Sequence, residues 1–451
     1  MTPGRMFLVV MLAGVVAGHC SIVVSATDDA PLRIGLVRHY ARAQSVTLSS
    51  QSGIGLQEPG GRPLLSCEPG VPVTISAEGG AITVRSGLDV RSVDGSFVTA
   101  RPADPTGTVR VETPQCPPRE YRGSIEVRPR AGTLLVINIV TVEEYLLGVV
   151  PAEMPSTYPI EALKAQAITA RTFAVANRGK HARDGYDLCD TGNCQIYGGV
   201  SVEKPAAAEA VRATAGMIIL YNGRPASVMY SSDCGGATQN PFETCPQRSL
   251  PYLCGVTEPA DMPHTTWEAF VPLRDVESGL LRAGVKQAAG LASIRASKTD
   301  TSGRVTEFEL TGSSGTAFVS GAKLRTALGA HVIKSLLLSV EQTTDGVVVF
   351  RGRGAGHGIG LCQVGAKWLA SPPRNWTCDQ ILAHYFPGTQ VAVPTRPADA
   401  ASDSRNIGHA AETFPVTKRG REAKSSPSVL AKPDVRGGVD FDVRVDAPNG
   451  L

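Results

Sequence analysis

The chain has 451 residues and a formal net charge of +3, with 19% of its residues charged. This length is sufficient for two domains or for one elaborated domain with a large hydrophobic core. The nearly balanced charge gives no indication of a nucleic-acid partner and implies only a modest attraction to anionic polymers. Ten cysteines are many for a cytosolic protein but ordinary for one that folds in an oxidising compartment.

The first residues are typical of an export signal. Arg5 precedes an apolar run over residues 6–17, and the small residues at 24–26 offer a cleavage point. We therefore predict a secretory signal over residues 1–26, an exported protein in the periplasm, cell wall or extracellular space, and no transmembrane span after signal removal. The alternative is an uncleaved anchor, in which the apolar run extends through residues 22–24.

Cys20 raises a third possibility for the N-terminus, a lipoprotein. His19 directly before it is a poor match to the small residue that a lipobox requires. Removal of Cys20 with the signal leaves nine cysteines, which is an odd number. One thiol is then free, or some of the thiols bind metal.

Residues 31–140 contain short apolar runs separated by glycine and proline, which predicts a β-rich lobe. Gly79 and Gly80 form a candidate tight turn between two of the runs. The β-rich runs are LRIGLV, VTIS, AITVRS and TLLVINIV.

The sequence after residue 140 mixes helical and β-rich segments. Helices are predicted within residues 143–182 and 204–215, and again at 322–328 and 364–369. The absence of a regular βαβ alternation favours an α+β fold with mixed or antiparallel sheets. Strands are predicted in MIILYNGRPASVMYSS, RVTEFELTG and GVVVFRGRG.

Composition divides the exported chain into a structured region and a tail. We expect the β-rich lobe at 31–140 and an α+β core at 141–393. Residues 394–451 are rich in Ala, Ser, Asp, Arg and Pro and have few aromatic residues, so we predict a disordered tail there.

The most regular of the predicted helices begins near residue 160. Apolar residues recur at helical spacing from Ile160 to Ala174. Ser156 or Thr157 is placed to cap the start of this helix. Pro159 suits the first turn because its missing amide needs no partner there.

Glu153 lies between two prolines, in what the pattern indicates is the lead-in to that helix. Pro151 and Pro155 restrict the backbone on either side. Such a carboxylate has little entropy left to lose at a transition state, which is suitable for a catalytic acid. The alternative is a capping or dipole-stabilising role, which is common for an acid near a helix start.

Two blocks of the sequence resemble the signature blocks of the SpoIID/LytB family of peptidoglycan-processing proteins. They are VVPAEMPSTYPIEALKAQAITARTFAVANRGKH at 149–181 and RGRGAGHGIGLCQVGAKWLA at 351–370. The resemblance covers residues 31–393 and implies that Glu153 is the acid of a lytic transglycosylase, because it matches the Glu of the family's Glu-Met-Pro element. The connecting segments that also resemble the family are YRGSIEVRP, VEEYLLGVVP, CDTGNCQIYGG and YSSDCGGATQN.

Glycine alternates with other residues from Gly354 to Gly360. This pattern is typical of a turn, a bulge or a close approach to a ligand, and it lacks the βαβ context of a dinucleotide site. The resemblance places the block beside Glu153. His357 is therefore a candidate to orient Glu153 or to contact substrate, and Gln363 is a candidate hydrogen-bond partner for a sugar. The alternative is a purely structural turn.

Further candidates for sugar binding lie elsewhere in the same region. Polar side chains would bind hydroxyl, lactyl or acetamido groups, and tyrosine rings would serve as stacking platforms. The candidates are Gln195, Arg171 and Ser231 among the polar residues, and Tyr197, Tyr158 and Tyr230 among the tyrosines.

The remaining cysteines fit two interpretations. Disulfides are expected in an exported protein, and zinc is the alternative because some relatives in the family hold zinc. No other cofactor is expected. The zinc alternative uses Cys234, Cys245 and Cys254, with His264 beyond them, although this region lacks a close Cys-x-x-Cys pair. The expected disulfides are Cys189–Cys194, across a short polar turn, and Cys362–Cys378.

One carboxylate is sufficient for the chemistry that the resemblance implies. Ordinary glycosidases need two, but the 6-hydroxyl of a muramic acid residue can itself attack the anomeric carbon once the leaving oxygen is protonated. Glu153 would act first as acid and then as base, and 1,6-anhydromuramyl ends would form. This role requires a pKa raised by an apolar site.

Three functions from different classes fit these observations. The first is a secreted lytic transglycosylase whose partner is the peptidoglycan glycan strand. The second is a non-catalytic glycan-binding protein that enhances a cell-wall amidase. The third is a zinc-dependent hydrolase, for which the sequence contains no His-Glu-x-x-His motif.

Overall fold

The computed structural model has an α+β fold, which confirms the predicted fold class. The residues that the structure describes are 30–394, except 79–80, 94–95, 244–248 and 314.

Three predicted features lie outside the described residues: the export signal, the Gly79–Gly80 turn and the tail beyond Pro394. Within residues 30–394, no described helix is long and apolar enough to cross a membrane.

The first part of the described chain is built mainly of β-strands. In β2, for example, Val46 and Leu48 are buried while their neighbours along the strand are partly exposed, which is the alternation expected of a sheet with one covered face. The strands are β1 (Leu32–Gly35), β2 (Ser45–Ser49), β3 (Ile54–Gln57), β4 (Pro63–Cys67), β5 (Val73–Glu78), β6 (Ala81–Ser86), β7 (Asp89–Val93), β8 (Val98–Pro102), β9 (Thr108–Thr113), β10 (Cys116–Arg122), β11 (Ser124–Arg130) and β12 (Thr133–Val140).

The later strands are separated by helices and longer loops. They are β13 (Leu188–Cys189), β14 (Ile218–Tyr221), β15 (Arg224–Pro225), β16 (Tyr230–Ser231), β17 (Thr266–Pro272), β18 (Leu291–Thr299), β19 (Val305–Gly312), β20 (Gly315–Ser320), β21 (Leu338–Gln342), β22 (Val347–Arg353), β23 (Leu361–Cys362) and β24 (Gln390–Ala392).

The predicted helices near 204–215, 322–328 and 364–369 are confirmed, with ends that differ by one or two residues. Three further helices, α1, α5 and α8 below, were not predicted. The helices are α1 (Val37–Tyr40), α2 (Val142–Glu153), α3 (Ile160–Ala176), α4 (Pro205–Ala213), α5 (Leu273–Arg282), α6 (Gly321–Leu328), α7 (Gln363–Ala370) and α8 (Cys378–Tyr385).

Two large sheets and the central helices share one hydrophobic core. The strand order is β13-β1-β12-β11-β8-β3-β4 in one sheet and β10-β9-β2-β5-β6-β7 in the other. Their strands pair antiparallel, except that β13 runs parallel to β1. Ile75 and Val127 from the sheets are fully buried in the same cluster as Leu146 of α2 and Ile168 of α3. The β-rich segment and the helices therefore stabilise each other.

A second core lies between residues 266 and 353. Two three-stranded sheets, β17-β22-β21 and β18-β19-β20, pack with α5 and α6 around it. Val276, Phe308, Leu324 and Phe350 are fully buried there. This unit is not predicted from the sequence, because its strands and helices have the same composition as their neighbours.

Glu153 precedes α3, as predicted, but it is the last residue of α2 and not part of a non-helical lead-in. Pro151 lies in the final turn of α2, where it removes only the hydrogen bond that its amide would donate to the Leu147 carbonyl. The helix ends because Met154 precedes Pro155, and a residue before proline avoids the helical conformation. Met154 accordingly has φ −132° and ψ 134°.

Helix α3 begins without the predicted side-chain cap. Pro159 occupies the N-cap position, one residue before the first turn, and neither Ser156 nor Thr157 caps the helix. The Tyr158 amide instead donates to the Pro155 carbonyl at 3.0 Å, so the two candidate caps lie inside a tight turn.

Candidate active site

Glu153 projects from the C-terminal end of α2 towards the loop that follows β13. The Ile196 amide donates to Glu153 Oε1 at 2.6 Å. A backbone donor of this kind leaves no trace in residue type, which is why the sequence analysis did not predict it. Because α2 ends at this residue, the partial negative charge of the helix C-terminus lies beside the carboxylate.

The environment of Glu153 favours its protonated form. Burial raises the pKa of Glu153, while hydrogen bonds from the Ile196 amide and the Tyr230 hydroxyl oppose the increase without cancelling it. The negative end of the α2 dipole acts in the same direction as burial, because it disfavours a second negative charge. A carboxyl group that retains its proton closer to neutral pH is suited to general acid catalysis.

Tyr230 is held against Glu153 by a chain of buried polar groups. Gln195 Nε2 donates to the Tyr230 hydroxyl at 3.1 Å, and the Tyr145 hydroxyl donates to Gln195 Oε1 at 3.4 Å. Gln195 is fully buried. Its amide thus positions Tyr230, whereas the sequence predicts direct sugar binding for Gln195 and a stacking role for Tyr230.

The loop that carries Gln195 and Ile196 is anchored to the first sheet. The Asp190 amide donates to the Gly35 carbonyl at 3.2 Å, and Asp190 Oδ1 accepts from the Arg38 amide at 2.9 Å. Burial raises the pKa of Asp190 to about 7. These contacts fix the loop, and with it the Ile196 amide that donates to Glu153, to the core.

Cys189 and Cys194 face His181 across the same loop. The donor atoms of the three side chains lie within 4.8 Å of one another, and both cysteines are free thiols. The hydrogen bond from Cys194 lowers the pKa of the Cys189 thiol. Two sulfurs and an imidazole at this spacing fit zinc. A zinc ion there would cross-link the loop to the segment after α3. Because both thiols are free, the structure does not contain the expected Cys189–Cys194 disulfide.

The glycine block requires its glycines for backbone reasons. Gly354, Gly356, Gly358 and Gly360 all have positive φ, at +77°, +102°, +72° and +72°. A Cβ atom on Gly358 would collide with the guanidinium of Arg304, which is buried. Left-handed backbone and close packing therefore explain this pattern.

His357 bridges two backbone segments. Its Nδ1 accepts from the Ile359 amide at 3.0 Å, and it makes a hydrogen bond with the backbone of Tyr230. Burial lowers the pKa of His357 to about 4, and the charges of Arg325 and Arg304 act in the same direction. The imidazole is therefore neutral near pH 7. It contacts the strand that carries Tyr230 rather than orienting Glu153 by a direct hydrogen bond.

Gln363 and Ser231 are buried near the two short strands β16 and β23, which pair in parallel. Gln363 Nε2 donates to Gln166 Oε1 at 3.2 Å, which joins α7 to α3. The hydroxyl of Ser231 has no hydrogen-bond partner among the described residues. Ser231 thus offers a free polar group, and Gln363 offers one that is already engaged.

Arg171 and Tyr197 are engaged in the scaffold behind α2. Arg171 forms two hydrogen bonds of 2.7 Å with Glu143 and is 2% exposed. The Tyr197 hydroxyl donates to Asn138 Oδ1 at 2.8 Å. The structure therefore does not bring these two candidates to Glu153.

The cysteines of the later region are arranged differently from either expectation. Cys234 is fully buried, whereas Cys254 is exposed, and Cys245 lies outside the described residues. Cys362 lies beside Cys234, whose amide donates to Cys362 Sγ at 3.2 Å. All the described cysteines are free thiols, so the structure does not contain the expected Cys362–Cys378 bond. Cys362 instead lies beside Cys234 because β16 and β23 pair in parallel, with Ser231 opposite Cys362.

Comparison with known proteins identifies relatives of this chain. The family model for SpoIID, described as "Stage II sporulation protein", matches residues 130–221. An uncharacterised protein of Brachyspira hyodysenteriae is 30% identical over 274 residues, which are 60% of this chain and 72% of that protein. The amidase enhancer of Bacillus subtilis is 29% identical over 54% of this chain, but the match covers 40% of that relative.

The stage II sporulation protein D of Bacillus subtilis gives the decisive match. It is 30% identical over 275 residues, which are 57% of this chain and 76% of that protein. The matched family model covers Glu153 and the loop that contains Ile196. The chain therefore belongs to the SpoIID/LytB family and has a cell-wall related function.

Proposed function

We propose that the protein is an exported lytic transglycosylase that cleaves the glycan strands of peptidoglycan. The observation that carries this proposal is the environment of Glu153, whose pKa is raised by burial while Ile196 and Tyr230 provide hydrogen bonds to its carboxylate. A binding protein does not require a carboxyl group of this kind. Such a carboxyl group is required of a catalytic acid, which must hold a proton near neutral pH and then release it.

In the proposed reaction, protonated Glu153 donates its proton to the glycosidic oxygen that leaves the muramoyl residue. The bond from that oxygen to the anomeric carbon breaks, and the 6-hydroxyl oxygen of the same sugar bonds to the anomeric carbon. The carboxylate of Glu153 then accepts the proton of the 6-hydroxyl. The acid is regenerated, no water is consumed, and the new chain end is a 1,6-anhydro sugar.

Tyr230 and the Ile196 amide stabilise the carboxylate that exists between the two proton transfers. Both donate to Glu153, and hydrogen bonds to a charged group are stronger than hydrogen bonds to a neutral one. They thus lower the energy of the intermediate protonation state. Burial prevents them from making the acid too strong to hold its proton.

The test is the chemistry of the product ends. Purified glycan strands, with and without their stem peptides, are incubated with the full-length protein and the fragments are analysed by mass spectrometry. We expect 1,6-anhydromuramyl ends with wild-type protein and none with Glu153→Gln. Reducing ends would show that water is the nucleophile and would refute the intramolecular mechanism.

Non-catalytic enhancement of a cell-wall amidase is the second candidate function. It is favoured by the similarity to a protein named amidase enhancer. In that case the purified chain would bind glycan strands without cleaving them, and Glu153→Gln would stimulate an added amidase as well as wild type does.

A further inference from the structure

A second group of potential metal ligands lies beyond the end of β16, apart from the His181 cluster. Cys234 follows this strand, and Cys362 is the last residue of its parallel partner β23. The two sulfurs and a carboxylate oxygen of Glu258 lie within 4.8 Å of one another. A donor atom of His264 lies within the same distance of Cys234.

Two polar atoms in this group are buried without a partner. Glu258 Oε2 and His264 Nε2 have no hydrogen bond among the described residues, and they are 3.7 Å apart. The side chain of Glu258 is 0% exposed and that of His264 is 9% exposed. A buried polar atom without a partner is costly, so two that lie 3.7 Å apart, on side chains that each have a donor atom within 4.8 Å of the Cys234 sulfur, indicate a missing ligand.

The other polar atoms of these two side chains are held in place. His264 Nδ1 lies 2.7 Å from Asp233 Oδ1, and Glu258 Oε1 accepts from the Tyr385 hydroxyl. The carboxylate of Asp233 favours a proton on Nδ1, which leaves the lone pair on His264 Nε2. Carboxylates and hydroxyls that orient ligands in this way are typical of metal sites.

Backbone amides point at both sulfurs. The amides of Cys234 and Gly365 donate to Cys362 Sγ at 3.2 and 3.3 Å, and the Gly236 amide donates to Cys234 Sγ at 3.4 Å. Such donors stabilise thiolates. Two thiolates and a carboxylate in this enclosed space would require a cation to balance their charge.

We propose that Cys234, Cys362, Glu258 and His264 bind one zinc ion. Two thiolates select zinc over the hard cations, and imidazole and carboxylate complete a tetrahedral set. Four protein ligands leave no open position, so the ion is structural. It ties the loop that contains Glu258 and His264 to the β16–β23 pair.

This site would support the candidate active site through the backbone. Strand β16 carries Tyr230, whose hydroxyl contacts Glu153, and β23 follows the glycine block directly. Loss of the ion would therefore loosen the strand pair that positions Tyr230. The zinc proposal does not rest on transglycosylase activity, because it can be tested on metal content alone.

The competing arrangement is a disulfide between Cys234 and Cys362. It would use both sulfurs but leave Glu258 Oε2 and His264 Nε2 buried without partners. The two arrangements differ in measurable ways. A disulfide yields no thiols on denaturation and retains no metal, whereas the zinc site yields both thiols once the metal is chelated.

Metal content of the full-length protein, purified with zinc present and then dialysed, is the first measurement. The background variant Cys189→Ser with Cys194→Ser removes the contribution of the His181 cluster. We expect this background to retain one equivalent of zinc and to lose it when Cys234→Ser and Cys362→Ser are added. Cys254→Ser is the matched control, because Cys254 is exposed, and it should change nothing.

Milder variants keep the test informative if the double cysteine variant does not fold. Glu258→Gln preserves the shape of the side chain, and we expect it to weaken zinc retention at least about 10-fold in chelator competition. Cobalt substitution should give the absorption of tetrahedral thiolate-bound Co²⁺, and Glu258→Gln should alter it. A Cys234–Cys362 disulfide by mass spectrometry, or zinc retention unaffected by Glu258→Gln, would overturn the proposal.

Discussion

The two signature blocks at 149–181 and 351–370 contribute to the candidate site in different ways. The first provides Glu153, the side chain with the raised pKa. In the second, one hydrogen bond of His357 goes to the backbone of Tyr230, and Gly356 and Gly360 lie against Ser231 and Met229. Under the proposed function, the first block provides the catalytic acid and the second supports the strand that carries Tyr230. Changes in the first should lower turnover, and changes in the second should lower stability.

The largest expected effect is that of Glu153→Gln. The amide keeps the size of the side chain but cannot transfer a proton, so turnover should fall about 10²- to 10⁴-fold or more. The melting temperature should not decrease, because a buried acid is replaced by a neutral group. Glu209→Gln, on the exposed face of α4, is the matched control. Turnover within tenfold of wild type would remove Glu153 from the chemistry.

The second prediction tests the glycine block through stability. Gly358→Val forces a branched side chain into positive φ and against Arg304, at a cost of about 2–6 kcal/mol of unfolding free energy. Gly346→Val is the matched control, because Gly346 has φ +79° but open space around its Cβ position. Its cost should be limited to backbone strain, about 1–3 kcal/mol.

Urea unfolding midpoints of the two valine variants provide the comparison. A larger loss for Gly358→Val measures the packing against Arg304. Equal losses would show that positive φ alone explains the glycine, and that the contact with Arg304 contributes nothing.

Tyr230→Phe tests the link between the two blocks. Removal of a hydrogen bond to the carboxylate should lower turnover about 10- to 100-fold. The Tyr230 bond lowers the pKa of Glu153, so its loss should move the alkaline limb of the pH–rate profile to higher pH. Tyr221→Phe, in β14 and packed against Tyr252, is the control. An unchanged alkaline limb would mean that Tyr230 does not act on Glu153.

Much of the fold was predictable because it depends on local patterns. The apolar runs that became β1, β6 and β12 alternate or continue over strand lengths, and α3 has clear helical spacing. The end of α2 was not predicted, because Pro151 suggests a break whereas the last turn of a helix tolerates proline. The sequence pattern alone does not distinguish a proline that breaks a helix from a proline in its last turn.

The candidate site was predictable only where the local sequence around one residue indicates its role. Glu153 has a sequence context that draws attention to it, but its partners come from residue 196 and residue 230, far along the chain. The Cys234–Cys362 contact depends in the same way on a two-residue strand pairing. Such pairings follow from tertiary packing, and no local periodicity records them.

The smallest effect concerns the pH dependence of stability at His357. Its pKa is lowered to about 4 from an ordinary 6.5, so between these values the unfolded chain binds more protons than the folded one. Stability from this group is therefore complete above pH 6.5 and is lost as the pH falls towards 4. Between pH 6.5 and 5 the loss is on the order of 1–2 kcal/mol.

His357→Asn provides the comparison, because its amide oxygen can still accept from Ile359 but does not titrate. Other depressed histidines, such as His39, are present in both proteins and cancel in the difference. The variant should be less stable than wild type at pH 7, and the gap should narrow on acidification. If instead the gap is constant with pH while turnover falls, His357 acts on the substrate, and the second block also contributes to the chemistry.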